Sequence, residues 1–191
     1  MSLQRRQLLV ATTLICGLAS GLAQSPLASQ AKPPPEVASE WPTARLQGGG
    51  RMRFLGLRIY DARLWVASGG IGAADASWAG ELFALELEYA RELSGQKIAD
   101  RSLVEMKRQG DISADTAQRW LATMIQLFPD VKPGDRITGV NLPGKGARFF
   151  VNGLLRGEAA DAEFARRFFG IWLSPLGSEP ALRKALLGLA P

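Results

Sequence analysis

Histidine is absent from this chain of 191 residues, and cysteine occurs once, at Cys16. Those two gaps remove Ser-His-Asp triads, Cys and His nucleophiles, His general bases and the usual zinc and haem ligand sets. Metal binding through carboxylates alone would need clustered acids, yet there is no Asp-x-Asp cluster and no calcium loop. A large excess of one charge sign is also lacking. The formal charge of +5 includes Arg5 and Arg6, and without them 21 bases stand against 18 acids, or +3. A nucleic-acid surface calls for a basic stripe interleaved with aromatics. The nearest candidate, Arg51, Arg53, Arg58 and Arg63, falls inside a strand pattern and reads as one solvated face. Two glycine-rich stretches, 48–50 and Gly144-Lys145-Gly146, lack the Gly-Lys-Ser/Thr context of a phosphate loop and read as turns. No nucleotide, flavin, haem or metal cofactor is expected, and no nucleic-acid partner.

What is present begins with an export signal. Arg5 and Arg6 precede a mostly apolar run over 8–18 and then small residues, the order of a secretory signal peptide. The preferred cleavage point follows Ala23, with Gly21 at minus three, and a second option follows Ala31. An uncleaved anchor is the rival reading. The apolar run over 8–23 is 16 residues, short of the ~18–20 that span a bilayer as one helix. No membrane span is therefore expected once the signal is cleaved. The paired arginines suit the twin-arginine route as well as the general secretory one. A lipobox is disfavoured because Ile15, not a small residue, precedes Cys16. The expected location is the periplasm or another compartment outside the cytoplasm. There, a domain with no disulfide must rely on its core.

Residues 24–40, rich in Pro, Ser and Ala, read as a disordered linker, and the domain is expected to occupy 41–191. Gly48–Gly50 reads as a turn, followed by strands over 51–57 and 58–66, with Gly56 marking a bulge or bend. Residues 82–90 alternate cleanly, with Phe83, Leu85, Leu87 and Tyr89 on one face and Glu86 and Glu88 on the other. Ser94 and Ser113 can cap two helices, stopped by Gly110 and Pro129. The first helix has a thin apolar side: Ile98, Leu103 and Met106 with the small Ser102 among them. A meander over 136–158 contains an Asn152-Gly153 hairpin turn. Asp161 caps a helix carrying Phe164, Phe168, Ile171 and Trp172, and a short helix over 179–187 ends the chain. The order β-β-β-α-α-β-β-β-α-α predicts an α+β domain, a mostly antiparallel sheet with helices packed on one face.

That order, with three stretches, resembles the exported chalcone isomerase-like proteins of bacteria. The stretch 48–66 (GGGRMRFLGLRIYDARLWV) is similar to the family's first long hairpin. Residues 93–100 (LSGQKIAD) are similar to the opening of its first helix, and 161–173 (DAEFARRFFGIWL) to its late helix. The resemblance covers about 41–190 and implies the open-faced β-sandwich of chalcone isomerase. The family holds true isomerases, fatty-acid binders and non-catalytic helpers. Carried over residue by residue, the isomerase's hairpin threonine falls at Tyr60. Its helix tyrosine, lysine and asparagine fall at Ile98, Arg101 and Glu105, and its late threonine falls at Arg167. The hairpin arginine has Met52 in its slot, flanked by Arg51 and Arg53. Ile98 lacks a donor for the reacting oxygen, and Glu105 brings negative charge to a developing anion. Loss of one such donor commonly costs ~100–1000-fold in rate, which argues against plant-type isomerase activity.

The expectation is thus a non-catalytic domain that binds a small apolar or carboxylated molecule such as a fatty acid. Arg51, Arg53, Tyr60, Arg101 and Glu105 are the candidate ligand-binding residues. Two alternatives remain open: an isomerase or intramolecular lyase with altered chemistry, using Tyr60 and Arg101, and an envelope accessory factor that binds protein. Each candidate also has a plain structural role. Arg51 and Arg53 suit an exposed strand face, Tyr60 the edge of a core, and Arg101–Glu105 an i,i+4 ion pair worth ~0.3–0.5 kcal/mol. Phe164, Phe168 and Trp172 suit core packing, and Arg166-Arg167 a solvated helix face. The oligomeric state is not legible.

Overall fold

A computed structural model of the chain describes residues 31–67, 69–72 and 77–189. The expected signal peptide over 1–23, both Arg5 and Cys16 within it, and linker residues 24–30 lie outside the described residues.

Six strands form one antiparallel sheet in sequence order. They are β1 (Arg45–Phe54), β2 (Leu57–Val66), β3 (Phe83–Tyr89), β4 (Arg136–Leu142), β5 (Gly146–Val151) and β6 (Leu154–Ala159). Helices α2 (Gly95–Lys107), α3 (Ala114–Leu127), α4 (Ala162–Leu173) and α5 (Pro180–Leu187) lie on one face of that sheet. The alternation read in β3 is realised. Phe83, Leu85, Leu87 and Tyr89 enter the main core, while the Glu86 carboxylate on the other face accepts from Arg63 at 2.9 Å and Trp65 at 2.7 Å. The caps are realised too: Ser94, Ser113 and Asp161 each accept from a backbone N–H in the first turn of their helices.

Glycines 48–50 do not turn; they run inside β1, and the hairpin turns at Leu55-Gly56. Helix α5 presses on the strand at this point. A Cβ on Gly48 would sit 2.2 Å from the Ala185 carbonyl oxygen, so the glycines permit helix-on-strand contact, not chain reversal.

The segment expected as linker up to residue 40 contains α1 (Pro35–Glu40), with proline in its first turn. This helix covers the opposite face of the sheet, where Val37 and Trp41 pack with Trp65, Ala84, Val140 and Phe150. Glu36 anchors it, accepting from Arg136 at 2.9 Å and from Thr138 Oγ1 at 2.8 Å. Six residues give too short a periodic pattern to read as a helix. The stabilising contacts come from strands some 100 residues away.

Candidate functional site

The main core is not filled at the end of the sheet where the β1–β2 hairpin turns. A cavity of about 280 Å³ opens there between the sheet and helices α2 and α4. Its floor is Met52 and Phe54 of β1, Ile59 and Tyr60 of β2, and Leu87 and Tyr89 of β3. Its roof is Ile98, Ser102 and Glu105 of α2 together with Phe168, Ile171 and Trp172 of α4, while Lys97 and Arg101 also border it. The local cause is the thin apolar side of α2. Ser102 spends its hydroxyl on the Ile98 carbonyl at 2.8 Å and offers little bulk to the space below. Where a longer apolar side chain would close the core, a void remains. Gly95 lets the start of α2 lie against the chain after α3, since a Cβ there would meet the Phe128 carbonyl oxygen at 2.0 Å.

The few polar groups converge. Tyr60 Oη accepts a hydrogen bond from Trp172 Nε1 at 3.0 Å, which leaves its own proton free to donate into the cavity. The rings of Tyr60 and Tyr89 meet edge to face at 5.9 Å. Burial holds both phenols far above their ordinary pKa, because a phenolate would lose its hydration. Both are therefore neutral hydrogen-bond donors at physiological pH. Glu105 is the third element. Its side chain is only 5 % exposed, and it forms ion pairs with Arg101 at 2.5 Å and Arg108 at 3.0 Å. Neither carboxylate oxygen is engaged in an aligned hydrogen bond. The two contacts are thus electrostatic neighbours, and the carboxylate keeps acceptor capacity beside the cavity.

Of the residues singled out in the sequence, Tyr60, Arg101 and Glu105 are brought together here. Arg51 and Arg53, also expected as ligand-binding residues, are not among the residues that line this cavity. Strand alternation sends Met52 and Phe54 to the cavity, and Arg51 instead meets Asp61 at 2.8 Å on the outer face. Arg53 donates to the Gly56 carbonyl at 3.2 Å. Arg167 pairs with Glu163 and also lies away from the cavity. Ile98 does line it, so the wall carries a methyl group at the position that matches the isomerase's helix tyrosine. Phe164 is fully buried core, whereas Phe168 and Trp172 contribute to both core and cavity wall. Lys97, Tyr89 and the Trp172–Tyr60 bond were missed. The signal that could have found them was the helix with too little bulk on its inner side, facing two tyrosines on neighbouring strands. Among the described residues no group of three or more potential ligands is arranged to hold a metal ion.

A family model described as chalcone isomerase-like matches residues 29–188. The chain belongs to the chalcone isomerase-like family. The match begins before α1, consistent with a domain that includes this helix. An uncharacterized protein of Haemophilus influenzae is 33% identical over 104 residues, which is 54% of this chain and 50% of that protein. The chain thus spans about half the length of that curated relative. Among solved structures, an Arabidopsis thaliana fatty-acid binding protein superposes with a TM-score of 0.58 at 14% identity, covering 76% of this chain and 87% of that one. At that identity the likeness is one of fold. It agrees with the six-stranded sheet and its helical layer.

Proposed function

We propose that this member of the chalcone isomerase-like family is an exported, non-catalytic carrier of a small amphipathic molecule, a fatty acid being the first class to test. The observation that carries the reading is the cavity itself. It has a largely apolar wall, a volume of about 280 Å³, and a few convergent polar groups, the composition expected of a small-ligand site. Its volume falls just below the common range of ~300–1,000 Å³, which favours a short or medium acyl chain over a bulky polycyclic ligand. Two neutral phenol donors, Tyr60 and Tyr89, suit a carboxylate or carbonyl oxygen. Lys97 and Arg101 add positive charge where such a head group would emerge. That the Arabidopsis protein of the same fold is a fatty-acid binding protein supports the class of ligand. Against catalysis stand Ile98 and Glu105, which replace a donor and a neutral amide in the isomerase arrangement.

Native mass spectrometry of the protein purified gently from its producing cells tests this directly. A retained small-molecule mass, released on denaturation, is expected. Thermal stabilisation by added fatty acid should shrink in Tyr60→Phe and in Arg101→Ala. A bare protein mass, with no stabilisation by acyl chains of any length, would overturn the carrier reading and favour an accessory factor.

A further inference from the structure

The tip of the β1–β2 hairpin carries three large apolar side chains in solvent: Phe54 at 54% exposure, Leu55 at 85% and Leu57 at 53%. Local conformational preference gives no reason for them. Leu55 and Gly56 form the two-residue turn with φ of 50° and 78°, a geometry for which Asn-Gly is the favoured pair. The same chain uses that pair in the β5–β6 turn, where Asn152 and Gly153 have φ of 50° and 87°. An aliphatic residue in left-handed backbone is strained, and such outliers point to a task outside the fold. The next rung down is equally uneconomical. Arg53 and Arg58 are direct cross-strand partners, a like-charge pairing that destabilises a sheet. Arg58 is neutralised by Asp61 at 2.6 Å, but Arg53 makes no ion pair among the described residues.

From tip to base the hairpin therefore reads apolar turn, apolar rung, basic rung. That sequence matches the depth profile of an anionic bilayer, with acyl chains inside and phosphates at the level of the arginines. A second pair of exposed leucines, Leu154 at 76% and Leu155 at 60%, follows the β5–β6 turn. The antiparallel order places that turn at the same end of the sheet. The cavity opens at this end as well, and Phe54 belongs to both surfaces: it lines the cavity and is half exposed at the tip.

We propose that the β1–β2 hairpin tip inserts Phe54, Leu55 and Leu57 into an anionic lipid surface, with Arg53 and Arg58 at the phosphates, and so seats the cavity mouth on the membrane. The docking surface stands on the hairpin alone and does not require the carrier reading.

The test uses the full chain with an environment-sensitive fluorophore on Leu57→Cys, in a Cys16→Ser background. A second label site, Lys145→Cys, lies in the exposed β4–β5 turn at the opposite end of the sheet. With vesicles of phosphatidylglycerol and phosphatidylcholine, a blue shift is expected at 57 and none at 145. This comparison separates tip insertion from anchoring by residues near the amino terminus. Pure phosphatidylcholine and high salt should weaken the effect. In unlabelled protein, Arg53→Ala should lower vesicle affinity about fivefold, and Leu55→Asn about tenfold or more, while Leu55→Asn leaves the melting temperature unchanged or higher. Equal shifts at both labels, no shift at either, or vesicle binding indifferent to Leu55→Asn would overturn the proposal. So would a stable dimer that ignores vesicles and dissociates on Leu55→Asn, which would assign the tip to a second copy of the chain.

Discussion

Tyr60 and Tyr89 are the two tyrosines of the chain, and both face the same cavity. This makes their ionisation easy to observe. Each folded pKa is raised above the ordinary 10.0, mainly by burial. The stability they contribute is therefore full below pH 10 and is lost as pH rises toward the folded values. In an alkaline absorbance titration, phenolate should appear only with cooperative unfolding, and Tyr60→Phe should halve its amplitude. Asp61 behaves in the opposite sense. Hydrogen bonding to Arg51 leads the forces that hold its pKa below 3.8, with Arg58 helping. Its stabilisation is present above pH 3.8 and disappears as pH falls through the depressed folded value. Asp61→Asn should therefore flatten the acid limb of a stability–pH curve, by less than about 1 kcal/mol because both arginine partners are well exposed to solvent. At this scale the sequence was partly legible. Tyr60, Arg101 and Glu105 were named and do meet at the cavity, but Arg51 and Arg53 were also named and do not. Which arginine of an alternating run faces inward depends on strand register. The irregularity between Met52 and Arg53 is a tertiary outcome that the residues alone do not encode.

At the scale of elements, capping residues located the helices well, since Ser94, Ser113 and Asp161 act through bonds within one turn. Helix α1 was missed because its stabilising partners are remote. It is tested by Val37→Ala, which removes two fully buried methyl groups and should cost about 2 kcal/mol in a denaturant titration. The glycine run 48–50 was misread as a turn for a related reason. Glycine is equally suited to chain reversal and to close approach, and only the position of α5 decides between them. The Leu55-Gly56 hairpin gives a prediction of the opposite sign. Leu55→Asn should stabilise the isolated protein by about 1 kcal/mol, by relieving left-handed strain. A loss of stability would mean that the leucine packs where the structure shows it exposed.

At the scale of the whole molecule, the sheet and its helical layer leave one end of the core open, and filling it should separate binding from folding. Ile98→Trp projects a large ring into the cavity. It is expected to abolish retention of a small molecule while shifting the melting temperature by only a few degrees, as a filled void tolerates added volume better than a packed core does. A large fall in stability would instead show that α2 is already tightly seated. No helix among the described residues is long and apolar enough to cross a membrane, so any membrane contact by the described domain is proposed to run through the hairpin tip and not through a spanning segment.

By itself the sequence determined the succession of strands and helices that follows α1, the inward face of β3, the helix caps and the α+β class, because these follow from periodicities and contacts a few residues long. The absence of histidine alone set aside several chemistries. Only the tertiary structure decided that α1 closes the second face of the sheet, that Met52 and not its flanking arginines meets the cavity, and that Trp172 holds the hydroxyl of Tyr60, 112 positions away. Such facts depend on how separate elements pack in space. A cavity is the volume that packing leaves over, and no local pattern of residues specifies it.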